Sequence, residues 1–221
     1  MKKCIKGVAL VLAGILIFAG CGTKPETQEN TSGQGTQSEQ KEFARGEWVE
    51  TVYTNEFAEL KYEIPEGWVY ATDEEIKAVV GQGAEMINES GGTEFSTEQL
   101  EQTAVYDMLV QNPVTGTNVQ VIFESLKGIP GGTQIDTNIY IETTKNLLTS
   151  SGVAEYNFSD TYEVTIGANK YTVLDLEYEL WGVSVQQRYC TRRVGDYMTS
   201  IIVTDAAGGD IDKVMDSFSG I

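Results

Sequence analysis

The chain has no histidine. That absence removes Ser-His-Asp and Cys-His nucleophilic catalysis, histidine general-base chemistry and the usual zinc sites. Cysteine is nearly as scarce. Of Cys4, Cys21 and Cys190, two lie within the first 21 positions, so a domain beyond them holds one thiol and forms no internal disulfide. The single marked apolar run, Gly7 to Gly20, is 14 residues, short of the ~20 that a helix needs to span a bilayer. Positive charge is sparse, with 15 Lys and Arg against 33 Asp and Glu. The glycine-rich stretch Gly128 to Thr133 is followed by no Gly-Lys-Ser/Thr, so it is a loop and not a phosphate cradle.

What is present starts at that apolar run. Lys2, Lys3 and Lys6 stand before it and small residues close it, the pattern of a secretory signal peptide over residues 1–20. The stretch Phe18-Ala19-Gly20-Cys21 resembles the bacterial lipobox, with Phe18 where that motif usually carries leucine. The resemblance implies cleavage before Cys21 and lipid modification of its thiol; the competing reading is a plain signal peptide cut at Gly20. One acyl chain holds a protein only marginally, and two or three hold it durably. Residues 21–45 would then be the lipidated cysteine and a tether. Gly22 to Glu42 contains no aliphatic residue and cannot offset its chain entropy by burial, so it is expected to be disordered. About 20 such residues have an r.m.s. reach on the order of 25 Å.

A chain running from Cys21 to Ile221 has 12 basic and 33 acidic residues, a net charge of −21. Such a body repels nucleic acid and anionic lipid, so nucleic acid is not an expected partner. The acidity suits solubility outside the cell; cation binding is the alternative. At 201 residues the chain can hold one domain with a real core, placed at 46–221.

Trp48 to Tyr53 and Phe57 to Ile64 read as two strands around a turn at Thr54-Asn55-Glu56. Thr72-Asp73-Glu74-Glu75 is a capping box, and the helix behind it runs to Glu89 with Ile76, Val79, Val80, Gly83, Met86 and Ile87 as its stripe. A short helical turn starts at Ser96 or Thr97. Ala104 to Val110 and Val119 to Leu126 form a hairpin, and Asp136 to Ser150 a second helix. Strands follow at Ala154 to Phe158, Tyr162 to Ile166, Lys170 to Leu180, Val183 to Val194 and Tyr197 to Thr204. A last helix is expected from Asp210 to Ser219. If Trp181-Gly182 is a two-residue turn, the register is set: Asp175 faces Arg188, Tyr178 faces Val185 and Leu174 faces Tyr189.

Consecutive strands of this kind make an antiparallel sheet, and three amphipathic helices covering it make an α/β/α sandwich of the α+β class. Phe57-Ala58-Glu59-Leu60-Lys61-Tyr62-Glu63-Ile64-Pro65-Glu66-Gly67-Trp68 is similar to the opening of the PsbP-like fold. Similar too are Gln186-Gln187-Arg188-Tyr189, Gly195-Asp196-Tyr197-Met198, Ile201 to Thr204 and Met215-Asp216-Ser217-Phe218. That superfamily includes the extrinsic photosystem II protein, a Ran-binding import factor and bacterial envelope lipoproteins. The resemblance implies a non-enzymatic interaction module and transfers no functional residue, because its members bind through different surfaces.

The candidate contact residues are Trp181, at a hairpin tip, and Arg188, Arg192 and Arg193, three of the four arginines. The arginines would make a basic spot for a carboxylate or phosphate; internal pairing with Asp175, Glu177 or Glu179 is the competing reading. Trp181 either anchors a partner or folds back on its sheet. Asp205, Asp210 and Asp212 around Gly208-Gly209 match no EF-hand spacing, and no metal or cofactor is expected. Cys190, mid-strand with no histidine to activate it, reads as a packed residue. The expectation is a lipid-anchored protein on the extracytoplasmic face of a cell membrane, at the surface of a single-membrane bacterium. Its domain would bind another envelope protein or a small ligand without catalysis. Two alternatives stand beside it: a carbohydrate- or peptidoglycan-binding module using aromatics such as Trp48 and Trp68, and a hydrolase built on a carboxylate pair.

Overall fold

The computed structural model describes residues 41–90, 103–209 and 211–221. The signal peptide, Cys21, most of the tether, the short turn expected at Ser96 or Thr97, and Asp210 lie outside the described residues. Among the described residues no helix is long and apolar enough to cross a membrane.

The chain is a mixed α+β fold whose strands pair antiparallel throughout. Strands β1 (Glu47–Val49), β2 (Val52–Asn55) and β3 (Leu60–Glu63) are followed by β4 (Val69–Tyr70) and helix α1 (Asp73–Glu89). Next come β5 (Ala104–Gln111), β6 (Asn118–Ser125) and helix α2 (Thr137–Ser150). Strands β7 (Tyr156–Phe158), β8 (Tyr162–Ile166), β9 (Asn169–Leu180), β10 (Val183–Val194) and β11 (Tyr197–Asp205) precede helix α3 (Ile211–Met215) and strand β12 (Phe218–Gly220). The large sheet has the order β4-β5-β6-β11-β10-β9-β7, with β8 also on β9; the small sheet has the order β1-β2-β3-β12.

Local chemistry explains the helix starts. Thr72 Oγ1 accepts from Glu75 N (3.3 Å) while Glu75 returns a carboxylate to Thr72 N (2.8 Å), so two orphan donors are satisfied reciprocally. Asp136 caps α2 by accepting from Ile139 N at 2.9 Å.

The strands of the large sheet alternate faces. On β9, Leu174, Leu176, Tyr178 and Leu180 join a cluster with Ile76, Val80, Ala84 and Ile87 of α1 and Ile141 and Leu148 of α2. Tyr171 and Val173 point the other way, into a cluster with Tyr53, Leu60 and Tyr62 of the small sheet, Val214 of α3 and Phe218 of β12. After Val173 this second face of β9 turns charged, with Asp175, Glu177 and Glu179. Apolar cover on that side therefore stops about a third of the way along the strand.

Several expected elements are corrected. The segment 48–53 is two strands, because Glu50 takes a left-handed backbone (φ 55°) and folds β1 onto β2. Phe57 and Ala58 belong to a turn and are buried in it, and β3 starts only at Leu60. The last helix ends at Met215. Phe218 packs against Tyr62 (ring centroids 4.5 Å apart, planes tilted by 45°), and Ser219 and Gly220 pair with Lys61 and Leu60, so satisfying a sheet edge replaces about one further helical turn. The third long helix expected over the sheet is thus replaced on that face by the small sheet and a five-residue helix.

The two sheets touch where Gly167 meets Gly220. A Cβ at Gly167 would lie 2.4 Å from the Gly220 Cα, and Gly167 has φ +61°. Gly167→Ala is expected to destabilise by about 2 kcal/mol or more, from left-handed strain plus a backbone clash. Gly128→Ala, also at positive φ (+77°) but in open space, should cost about 1 kcal/mol. Thermal melts of the two variants check the difference.

Candidate functional site

The turn between β9 and β10 is Trp181-Gly182, with φ +50° and +78° and Leu180 paired to Val183. Two positive φ values in a two-residue loop define a type I′ turn, whose twist matches the flanking strands. The register that follows is the expected one: Asp175 faces Arg188, Tyr178 faces Val185 and Leu174 faces Tyr189. On its other side β10 finds β11 only from Gln186 onward, opposite Asp205. Residues 183–185 therefore have no partner in β11, and the hairpin projects beyond it by about 10 Å. Trp181 stands at its apex, 69% exposed, with Val183 exposed beside it. It does not fold back over the sheet.

A bulky residue in the left-handed region is strained by roughly 1–2 kcal/mol relative to its preferred backbone; asparagine or glycine occupies this position with less strain. The fold therefore supplies no reason for tryptophan here.

The three arginines are drawn into the fold and do not converge. Arg188 makes a fork with Asp175 (Nε–Oδ1 2.7 Å, Nη2–Oδ2 3.0 Å) and also donates to Asp212, tying β9, β10 and α3 together. Tyr162 Oη donates to the same Asp175 carboxylate at 3.0 Å. Arg192 donates to Asn169 Oδ1 (2.7 Å) and to the Ala58 carbonyl, with its guanidinium over the Tyr171 ring. Arg193 lies on the opposite face of β10 and donates to the carbonyls of Gly195, Thr133 and Ile135. The competing reading for Arg188 is the one found, since its partner is Asp175. Gly195 apart, the backbone carbonyls that take Arg192 and Arg193 (Ala58, Thr133 and Ile135) come from distant segments that no local pattern names. Arg188→Lys, which removes the fork, is expected to cost about 1–2 kcal/mol in stability, as urea melts of the variant will show.

Asp107 was not singled out by sequence reasoning, although an aspartate inside the apolar strand Ala104–Gln111 is a visible signal. It sits in a β-bulge between Tyr106 and Met108, unpaired on β6, and its side chain is 1% exposed. Such bulges re-aim a side chain. Here Oδ1 accepts from Arg45 Nε (2.8 Å), and Oδ2 accepts from Gly46 N (2.7 Å), Tyr53 Oη (2.6 Å) and Asn55 Nδ2 (3.0 Å). Burial, and next the charge of Asp107, push the Tyr53 phenol far up.

Among the described residues two other carboxylates are buried. Glu124 lies on the helix-facing side of β6, where its charge, after burial itself, helps to raise the Tyr140 phenol. Asp205 accepts from Thr117 Oγ1 and Gly209 N, both at 2.5 Å, and so holds the loop that follows β11. Asp107 and Asp205 share no hydrogen-bond partner. Cys190 is buried between the two sheets, and burial pushes its thiol up to about 12. Trp68 borders a cleft of about 480 Å³ with Pro65, Asn112, Thr117, Lys213 and Val214. Trp48 stacks on the half-exposed Tyr70 (centroids 4.7 Å apart, 18° between planes).

Burial raises the phenols of Tyr53, Tyr62, Tyr106, Tyr140 and Tyr178 well above their ordinary range, and lifts Tyr162 to about 12 with help from Asp175. Groups raised in the folded state contribute stability that is complete below their unfolded values and lost as pH climbs past them. Stability should therefore hold to about pH 9 and fall steeply above about pH 10, where unfolded tyrosines ionise. Absorbance at 295 nm should show the buried phenols ionising only together with loss of near-ultraviolet circular dichroism.

No known family profile matches the chain, and no curated protein matches it in sequence. Among solved structures, it is similar to cyanobacterial PsbP from Synechocystis, with a TM-score of 0.43 and 12% identity over 85% of this chain and 98% of that one. A Bacteroides thetaiotaomicron protein matches with a TM-score of 0.42 and 11% identity over 77% of this chain; the chain spans about half of that protein, 48%. LpqN of Mycobacterium tuberculosis, described as involved in cell envelope biogenesis, matches with a TM-score of 0.38 and 10% identity over 72% of this chain and 82% of that one.

Proposed function

We propose that the chain is an extracytoplasmic protein held to a cell membrane by lipid on Cys21, and that its domain is a non-catalytic module that binds another envelope protein. The observation that carries the binding reading is Trp181: an exposed indole, in a backbone conformation that disfavours it, at the tip of a projecting hairpin. Aromatic residues of this kind dominate interface energetics. The anchor reading is supported by the residues around Gly20-Cys21 and by the polar composition of Gly22 to Glu42.

The test is chemical cross-linking of the lipidated full chain in its native membranes, followed by affinity capture of wild type and Trp181→Asn. One stoichiometric partner, lost in the variant, is expected. A partner absent from both samples would overturn the protein-binding reading in favour of a soluble ligand or glycan. Cys21→Ser should move the protein out of the membrane fraction.

One observation favours a second reading, a carbohydrate-binding module. The Trp48–Tyr70 stack is flanked in sequence by the exposed Val49 and Val69, and a flat aromatic ridge of this kind suits a sugar face. Binding to purified peptidoglycan that falls in Tyr70→Ala and survives in Trp181→Asn would favour it.

A further inference from the structure

The chain enters the domain at one end of the β9–β10 hairpin, and Trp181 stands at the other. Lys41 lies against the β2–β3 turn, donating to the Glu56 carbonyl and sitting 3.7 Å from Glu59. Glu59 in turn accepts from Asn169 Nδ2 at 3.1 Å, and Asn169 is the first residue of β9. Two residues beyond Lys41, Phe43 stacks on Tyr197, at the start of β11 and next to the far end of β10 (4.6 Å). Strand β9 has 12 residues and ends immediately before Trp181. At ~3.3 Å per residue the two poles are roughly 35 Å apart.

The two poles also differ in chemistry. From Tyr171 to Gln187 the hairpin has no lysine or arginine, and it carries Asp175, Glu177 and Glu179. Asp175 is neutralised by Arg188, whereas Glu177, which accepts only from the uncharged Gln186 side chain (2.8 Å) among the bonds of this hairpin, and Glu179 are exposed on the face that the small sheet leaves uncovered. The tip thus combines an exposed indole, an exposed valine and an acidic flank. Anionic lipid headgroups repel such a flank. A protein slot with an apolar floor and a basic rim complements both parts.

Resting on the lipid-anchor reading, we infer that the domain is carried with its β2–β3 turn towards the membrane and its Trp181 pole away from it. The occupant of that pole is an extracytoplasmic protein presenting a basic-rimmed apolar slot. Cys21 precedes Lys41 in the sequence, so an anchor on Cys21 joins the domain at the β2–β3 pole. The anchoring bilayer, whose anionic headgroups repel the acidic flank, is therefore the wrong surface for Trp181.

Two measurements test this. In the first, the lipidated full chain is placed in phosphatidylglycerol–phosphatidylethanolamine vesicles containing an acceptor-labelled lipid, with a donor dye on Ala168→Cys or on Trp181→Cys. Energy transfer from position 168 should exceed that from 181 by at least about twofold; equal or greater transfer from 181 overturns the orientation. Floating the same samples separates the two readings, because a chain that does not float with vesicles, or a Cys21→Ser variant that floats equally well, overturns the anchor and the orientation with it. In the second, a benzophenone side chain replaces Trp181 or Ala168 in intact cells. A protein adduct at 181 is expected, absent at 168, and reduced about tenfold when Glu177→Lys and Glu179→Lys are added. A lipid adduct at 181, a charge-insensitive adduct, or none at all overturns the assignment of the occupant.

Discussion

Asp107→Ala is expected to lose about 3–5 kcal/mol of folding stability, a large share of the 5–15 kcal/mol that holds a domain together. The carboxylate is 1% exposed and has four donors on it. Removing it leaves the Gly46 amide and the Tyr53 hydroxyl without their acceptor, leaves Asn55 Nδ2 with only the Ala44 carbonyl (3.3 Å), and leaves Arg45 with Asp73 and the Tyr106 carbonyl alone. Each unsatisfied buried donor costs about 1–3 kcal/mol, more where a charge is involved. The loss also spreads, because Asp107 joins the large sheet to β2 of the small sheet and to the segment where the chain enters the domain. Asp107→Asn keeps the shape but turns an amide against those donors, and should lose roughly half as much. Asp73→Ala removes an exposed partner of the same arginine and should change stability by less than ~0.5 kcal/mol. Urea unfolding with an unchanged m value is the measurement. An Asp107→Ala protein within ~1 kcal/mol of wild type would show that the four donors find other partners.

The second large effect has opposite signs on two properties. Trp181→Asn is expected to weaken partner binding by at least about 2 kcal/mol, ~30-fold, the loss typical of a dominant interface aromatic. The same change should raise stability by ~1 kcal/mol, because asparagine suits the left-handed position of a type I′ turn. For a chain of this length that is about 2–4 °C in Tm. A residue kept for folding would lose stability on replacement, and a residue of no consequence would change neither property. Trp181→Gly should repeat the loss of binding, separating the indole from any contact made by asparagine. If Trp181→Asn lowers Tm by several degrees, the indole is structural and the tip is not a binding element.

The β9–β10 hairpin was legible because its information is local. A two-residue turn leaves one register, and the Asp175–Arg188 pairing follows from counting. The α1 start was legible for the same reason: Thr72 and Glu75 serve donors within one turn. The break at Glu50 was not, because nothing in Glu-Thr marks a left-handed residue; β1 folds back there so that Trp48 can lie on Tyr53 and Tyr70. Phe218 carries helical spacing with Val214 and Met215, yet it finishes a sheet edge against Tyr62, a partner more than 150 residues away. At the candidate site, the exposure of Trp181 was open in the sequence and is settled by the missing cover from β11. The arginines were misleading as a cluster. Adjacent numbers on a strand place Arg192 and Arg193 on opposite faces, and their acceptors are mostly backbone carbonyls with no side-chain signature.

The closure of the small sheet by β12 also constrains when this protein can become folded. Leu60 pairs with Gly220 across about 160 intervening positions, so the cluster around Tyr62 and Phe218 is completed by the final residues. Contacts this distant in sequence form late and slowly, because a long loop must close before any of them stabilises it. Until then β3 is an unpaired edge and Tyr62 lacks the ring that covers it. A chain in which β12 has not yet docked is therefore expected to expose a tyrosine-lined strand edge, the place where one partly folded copy would pair with another.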